Sequence, residues 1–485
     1  MLQSQQAGAE AAVGQPSVYR DKVTWAIAGA VFCAYTTISV FRLLQLNPSS
    51  WDLAIFTEAV KQYAHVHAPI ADVRGSGTNL LGDHFSPVLV LLAPFFRVFP
   101  SPATLLGAQA LLVAVSVFPV AAAARQVLGA GPARVVALCY GFCWGLQQMI
   151  NFDVHEIAFA VPLLAFSVSA LVRGNARASF CWALPMVFVK EDQGFTVAAI
   201  GLYLLFSGVR QEQADRFRVR AGAFAVCWGL LWSLLAIVVI IPHFNATHTY
   251  YYWGDGGAFG PGGHPSPGAA VGQFFSDWPG KLETTIFLLL PVAFLALRSP
   301  LALLAVPMLG LRFESSNTAY WGTGWHYNAT VMPIVFLAAV DGLARLRSSG
   351  ELTGWRDAWQ RHGVAMMLAV AVPFAFQYPL SGLWNANTYK LDAHVAAANA
   401  AMARVPDGAS VLTTLDLLAP LAARTDTYWI GNAGNPRTEY IVFDGVNSDY
   451  SPPVTDVPGL IAKFYPGNVY RQIHVSGDVY VFKRV

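Results

Sequence analysis

A series of long apolar runs, broken by short polar segments, decides what this chain can fold into. Residues 221–242, AGAFAVCWGLLWSLLAIVVIIP, carry no charged side chain. At about 1.5 Å of rise per helical residue, such a run crosses roughly 30 Å of hydrocarbon. Comparable runs make candidate spans at 23–41, 103–124, 134–150, 157–172, 179–189, 194–209, 221–242, 284–297, 300–311, 329–344 and 363–382. Lipid offers no water to the backbone, so each run must satisfy its own amides as a helix. The expected fold is therefore an all-α polytopic membrane domain of eleven transmembrane helices over residues 23–385. Composition agrees, because 55% hydrophobic and 12% charged residues lie far from a soluble average.

One run does not fit. Ser86–Pro100, SPVLVLLAPFFRVFP, carries Arg97 and several prolines and is shorter than the roughly 20 residues of a span. It reads as a helix lying along the membrane surface, and that choice sets the topology. With the N-terminus inside, the inner loops hold fifteen basic residues against seven acids, the Arg210–Arg220 cluster among them. The outer segments hold seven basic residues against twelve acids. The positive-inside rule then predicts N-in, C-out. Residues 1–22 read as a disordered cytoplasmic tail, since they lack the pattern of a signal peptide.

Beyond the last span the patterns shorten. Over residues 386–485, LDAHVAAANAAMARV reads as a helix stopped by Pro406-Asp407-Gly408, and ASVLTT and EYIVFDG as buried strands. VPGLIAKFY reads as a second helix, and VYRQIHVSGDVYVFKRV as a hairpin with a Gly-Asp turn. The expectation is a small C-terminal α/β extracytoplasmic domain that covers the membrane site or binds a partner. The five cysteines lie in apolar runs without metal-ligand spacing, and no phosphate-binding glycine loop occurs. A net charge of +2 gives no reason to expect a nucleic-acid partner.

The predicted topology gathers the polar chemistry on the outer face, in loops 42–102 and 243–283 and the shorter turns between spans. Asp52, in NPSSWDLAIF, stands at the start of an amphipathic helix, where it either caps the helix or acts as a base. Asp83 and His84, in GDHFSP, either bind a ligand or cap a helix starting near Pro87. In DVHE, Asp153 and Glu156 are three apart and would share a helical face as a catalytic or binding pair, or form a capping box. His155 lies outside that capping account. Lys190 and Glu191, in the tight turn VKEDQGF, suit a phosphate ligand and a polar neighbour. Arg312 stands at the outer end of a short span, against the charge rule, and can bind phosphate through two donors. His326 enters the next span, and Tyr252 and Trp253 belong to a glycine-flanked aromatic flap. The carboxylates could also hold a divalent cation.

DLAIF, LLGDHFSPVLVLLAPFF, DVHE, KED and HYNATVMPIVFLAAVDGL resemble a bacterial polytopic family of predicted membrane proteins of unknown function, over residues 25–445. That family is similar, more weakly, to the GT-C superfamily of lipid-linked-sugar glycosyltransferases, such as protein O-mannosyltransferases. The resemblance implies an essential acid on a juxtamembrane helix in the first outer loop, which Asp52 matches, although the Asp-Glu or Asp-x-Asp pair is missing here. It implies a polyprenyl-phosphate sugar as donor and an envelope glycan, lipid or protein as acceptor, in the bacterial inner membrane. Asp52, Asp153 and Glu156 become the catalytic candidates, and Asp83, His84, His155, Lys190, Glu191, Arg312, His326, Tyr252 and Trp253 the substrate-binding ones. A flippase for a lipid-linked glycan, or a non-catalytic assembly scaffold, is the alternative.

Overall fold

The computed structural model describes residues 17–211, 213–250, 252, 267–349, 353–432, 434–447, 450 and 452–485. The tail expected over 1–22 lies mostly outside these residues, as does Trp253. Among the described residues, three helices are long and apolar enough to cross a membrane: Lys22–Leu44, Pro102–Leu128 and Arg216–Phe244. A fourth span is available if Thr318–Asn328 and Val331–Arg347, bent by 72° at the break, are taken as one. Eleven continuous spans are therefore not what the helix lengths give. The expected span 134–150 is two helices, Ala130–Gly141 and Trp144–Asn151. The runs at 179–189, 284–297 and 300–311 pass into 3-10 turns beside Pro185, Pro291, Pro300 and Pro307. Proline has no amide hydrogen and clashes with the preceding turn, so apolar composition alone does not keep these segments α-helical.

Pro102–Leu128 is the central helix, with 67% of its most apolar window buried inside the protein. Lys22–Leu44 and Arg216–Phe244 bury 28% and 33% and so lie at the periphery. Asp21 caps the first helix through the Val23 amide and pairs with Arg134 at 2.9 Å, tying that end to the next helices. Gln193–Val209 and Arg216–Leu235 meet backbone to backbone at Gly194 and Gly229, and again at Gly201 and Gly222. A Cβ at any of these positions would strike the opposing backbone, which is the close approach that small residues permit between membrane helices.

Two elements flank the bundle on the side of the polar loops. Asp52–Ala64 buries Leu53, Ile55, Phe56, Ala59 and Val60. Pro87–Val98 is too short to cross and leaves Val90, Leu91, Phe95 and Val98 exposed, as a surface helix would. It begins at Ser86 without a side-chain cap, so Asp83 does not cap it.

The C-terminal part is a five-stranded mixed sheet in the order β2-β1-β3-β5-β4. β1 (Ser410–Thr413) lies parallel to β2 (Asp426–Trp429) and to β3 (Tyr440–Asp444). β5 (Val479–Arg484) runs antiparallel to β3 and to β4 (Tyr470–Ser476). The hairpin turns at Gly477, whose φ of 54° suits glycine. Helices Ala393–Met402 and Leu415–Ala422 share a core with Val411, Val442 and Val481 on one face, and Val457–Phe464 packs on the other. The sheet domain docks on Asp52–Ala64. Leu418, Ala419 and Ala422 join the apolar cluster of Leu53 and Ile55. Glu58, fully buried in this seam, accepts the amides of Val73 at 3.0 Å and Thr427 at 3.1 Å.

Candidate functional site

A cavity of about 790 Å³ opens where the juxtamembrane helix, the 152–157 loop, the 190–195 turn and the 308–330 segment meet. Its lining includes Asp52, His84, His155, Glu156, Lys190, Glu191, Tyr252, Arg312 and His326. Residues from six separate stretches of sequence thus face one space of the size that takes a small ligand or a headgroup.

Asp52 is the first residue of its helix, and Trp51 before it makes no side-chain cap. The carboxylate accepts the Ser50 hydroxyl and stands 3.6 Å from Nε2 of His155. Burial pushes the Asp52 carboxyl up, but the His155 imidazole, the Ser50 hydroxyl and the Lys190 ammonium outweigh it and hold it below the usual range. Asp52 is therefore an ionised carboxylate at neutral pH. His155 stacks on His326 at 3.5 Å between ring centres. Nδ1 of each imidazole is buried without a hydrogen-bond partner among the described residues.

Two ion pairs form the next wall. Lys190 Nζ meets Glu156 at 2.7 Å, and His84 Nδ1 meets Glu191 at 2.7 Å. Glu191 also accepts the Phe85 amide at 3.1 Å and the Tyr250 hydroxyl at 3.0 Å. Burial would raise Glu191, yet His84 and Lys190 bring it to about 2. Burial and Lys190 work against a charged His84, but Glu191 and Asp83 outweigh them and raise it. Tyr252 stacks on His84 at 4.3 Å and donates to Asp83 at 2.8 Å.

Arg312 closes the far side. Nη1 reaches Asn328 at 3.4 Å, whereas Nε and Nη2 are buried and make no hydrogen bond among the described residues. Asp192, beside Lys190, also lines the space.

Two of the expected residues stand apart from the lining. Asp83 pairs with Arg74 at 3.2 Å behind the cavity wall. Asp153 and Glu156 do not share a helical face, because the segment is not a helix. Asp153 takes a left-handed φ of 61°, His155 is extended, and Glu156 opens a 3-10 turn with no side-chain cap. The Asp153 carboxylate instead accepts the amides of Ser49 at 2.9 Å and Ser50 at 3.3 Å and lies 3.6 Å from Arg42. It thereby anchors the turn that leads into Asp52. Arg42, Ser49 and Ser50 were not singled out by sequence. Arg42 carried a signal, since a cation at the outer end of the first span breaks the charge rule just as Arg312 does.

The likeness to known proteins follows this geometry. ArnT from Cupriavidus metallidurans, solved bound to undecaprenyl phosphate, superposes with a TM-score of 0.54 at 14% identity, over 94% of this chain and 98% of that one. At that identity the likeness is one of fold. No curated protein matches the sequence. Residues 42–456 match the family DUF2079, described as a predicted membrane protein. The chain belongs to that family of membrane proteins.

Proposed function

We propose that this protein is a GT-C-like membrane glycosyltransferase that moves a sugar from a polyprenyl-phosphate donor to an acceptor of the cell envelope. The observation that carries this reading is the fork of Arg312, with Nε and Nη2 buried and unused in the cavity that holds ionised Asp52. A buried guanidinium with idle donors is costly until an anion completes it, and a phosphate does so through two parallel hydrogen bonds. The fold likeness to ArnT, bound to undecaprenyl phosphate, supports a lipid phosphate as that anion.

In this reading Asp52 takes the proton of an acceptor hydroxyl as the oxygen attacks the anomeric carbon. The bond from that carbon to the phosphate oxygen breaks, and its electron pair leaves with the phosphate. Arg312 stabilises the departing charge, with help from Lys190, whose ammonium is shared with Glu156. His155 holds Asp52 in place from 3.6 Å. Asp153 acts at one remove by fixing the Ser49-Ser50 turn. The cavity would face the periplasmic side of a bacterial inner membrane, with the N-terminus in the cytoplasm.

Binding of undecaprenyl phosphate to purified protein, read by native mass spectrometry, tests the assignment of Arg312. The wild type should retain the lipid. Arg312→Ala should lose about 10- to 100-fold in affinity, the worth of hydrogen bonds to a charged group, and Arg312→Lys should recover part of it. Equal retention by all three proteins would contradict a phosphate role for Arg312.

A further inference from the structure

The sheet domain carries a second cluster of ionisable groups, away from the cavity. β1 and β3 lie side by side and parallel, and the chain leaves β1 on one side for β2 and returns on the other as β3. The ends of β1 and β3 therefore flank a reversal in strand order, where open α/β sheets hold ligands beyond their carboxyl edge. Asp444 ends β3, and Thr414 and Asp416 follow β1 directly. His394, in the first turn of Ala393–Met402, reaches over the same edge.

The donor atoms of His394, Asp416 and Asp444 all lie within 4.8 Å of one another. His394 Nε2 is 2.6 Å from Asp444 Oδ2. The other oxygen of Asp444 accepts the amides of Val446 at 2.8 Å and Asn447 at 3.1 Å, which fixes the carboxylate. Asp416 is held on one side only, where Oδ1 accepts the Thr414 hydroxyl at 2.7 Å. Its Oδ2 is buried and takes no hydrogen bond from an amide, hydroxyl or imidazole of the described residues. Asp416 and Asp444 are 4% and 0% exposed, so the two carboxylates meet out of water.

We propose that His394, Asp416 and Asp444 bind a divalent transition cation, with zinc the best match. The imidazole selects a transition cation over magnesium or calcium, and zinc binds imidazole and carboxylate together. Zinc bonds of about 2.0–2.2 Å would use the idle Asp416 oxygen as the third donor. The His394 side chain is 20% exposed, so water could supply a fourth ligand. The ion would join the helix that leads out of the membrane part to the carboxyl edge of the sheet, so its binding free energy would stabilise the fold of this domain.

The test uses the full-length protein in detergent, purified with a tag free of histidine, stripped with a chelator and titrated with zinc chloride. Metal content after desalting and thermal unfolding are both read. The wild type should hold about one equivalent of zinc per chain and unfold at a higher temperature with it. His394→Gln and Asp416→Asn should each lose at least about tenfold in affinity, since each removes a ligand. Asp416→Asn keeps the size of the side chain and an oxygen to accept the Thr414 hydroxyl, so it should fold without metal. His155→Gln, at the cavity, should bind zinc as the wild type does. The proposal is overturned if the wild type holds no more zinc than Asp416→Asn, or if the zinc is lost with His155→Gln instead.

Discussion

Glu156 and Lys190 form a buried pair that is easier to break than to replace. Removing one partner leaves the other charge without solvent or counter-ion. Lys190→Met should therefore destabilise the protein by about 3–5 kcal/mol, and Glu156→Gln added to it should restore much of the loss, as read by thermal unfolding. His84 and Glu191 make the pH dependence. Glu191 lies near 2 in the folded protein against an ordinary 4.5, so its share of stability is present above about pH 4.5 and is lost as pH falls toward 2. His84 is raised above its ordinary 6.5, so its share is present below that value and is lost as pH rises through the raised one. Unfolding temperature should therefore peak between those ordinary values and fall on the alkaline side. His84→Gln should flatten the alkaline fall, and an unchanged profile would remove the pair from this role. At this scale residue type was legible and direction was not. Asp153 and Glu156 look like one pair at a spacing of three, but a left-handed Asp153 sends its carboxylate to the Ser49 amide instead. A positive φ outside glycine leaves little trace in sequence.

Two contacts between elements carry predictions. Gly194 and Gly229 let two membrane helices touch through their backbones. Gly229→Leu must push them apart, at a cost of about 1–3 kcal/mol or more, seen as a lower unfolding temperature in detergent. Glu58 is the polar seam between the juxtamembrane helix and the sheet domain. Glu58→Ala leaves two buried amides without an acceptor, at about 1–3 kcal/mol each. Limited proteolysis should then release the sheet domain from the membrane part faster than in the wild type. Neither contact was readable beforehand. A glycine in an apolar run does not name its partner, and Glu58 sits in an amphipathic pattern that suits a solvated face equally well. Strands ASVLTT and EYIVFDG and the terminal hairpin were legible, because alternation and turn residues are local signals. The short β2 and helix Leu415–Ala422 were not separated in that reading.

For the whole molecule, hydropathy and the quoted motifs were enough to reach a helical membrane protein of this family with a small C-terminal α/β part, which the structure gives as a mixed five-stranded sheet. They overstated the number of continuous spans, because a hydropathy window sees composition and not the prolines that turn helices into short broken pieces. The proposed orientation has its own check. Single cysteines at Arg216 and Arg347 should resist a membrane-impermeant thiol reagent in intact cells, while one at Thr247 should react, and labelling at Arg216 would reverse the topology. The central claim is that Asp52 is the base of a sugar transfer on a lipid phosphate. Transfer from a polyprenyl-phosphate sugar by purified protein in nanodiscs tests it most directly. Asp52→Asn keeps the shape of the side chain and an oxygen to accept the Ser50 hydroxyl, but removes basicity. The account predicts a fall of about 10²–10⁴ in turnover, retained binding of the lipid, and partial activity in Asp52→Glu. Transfer by Asp52→Asn at the wild-type rate would contradict it.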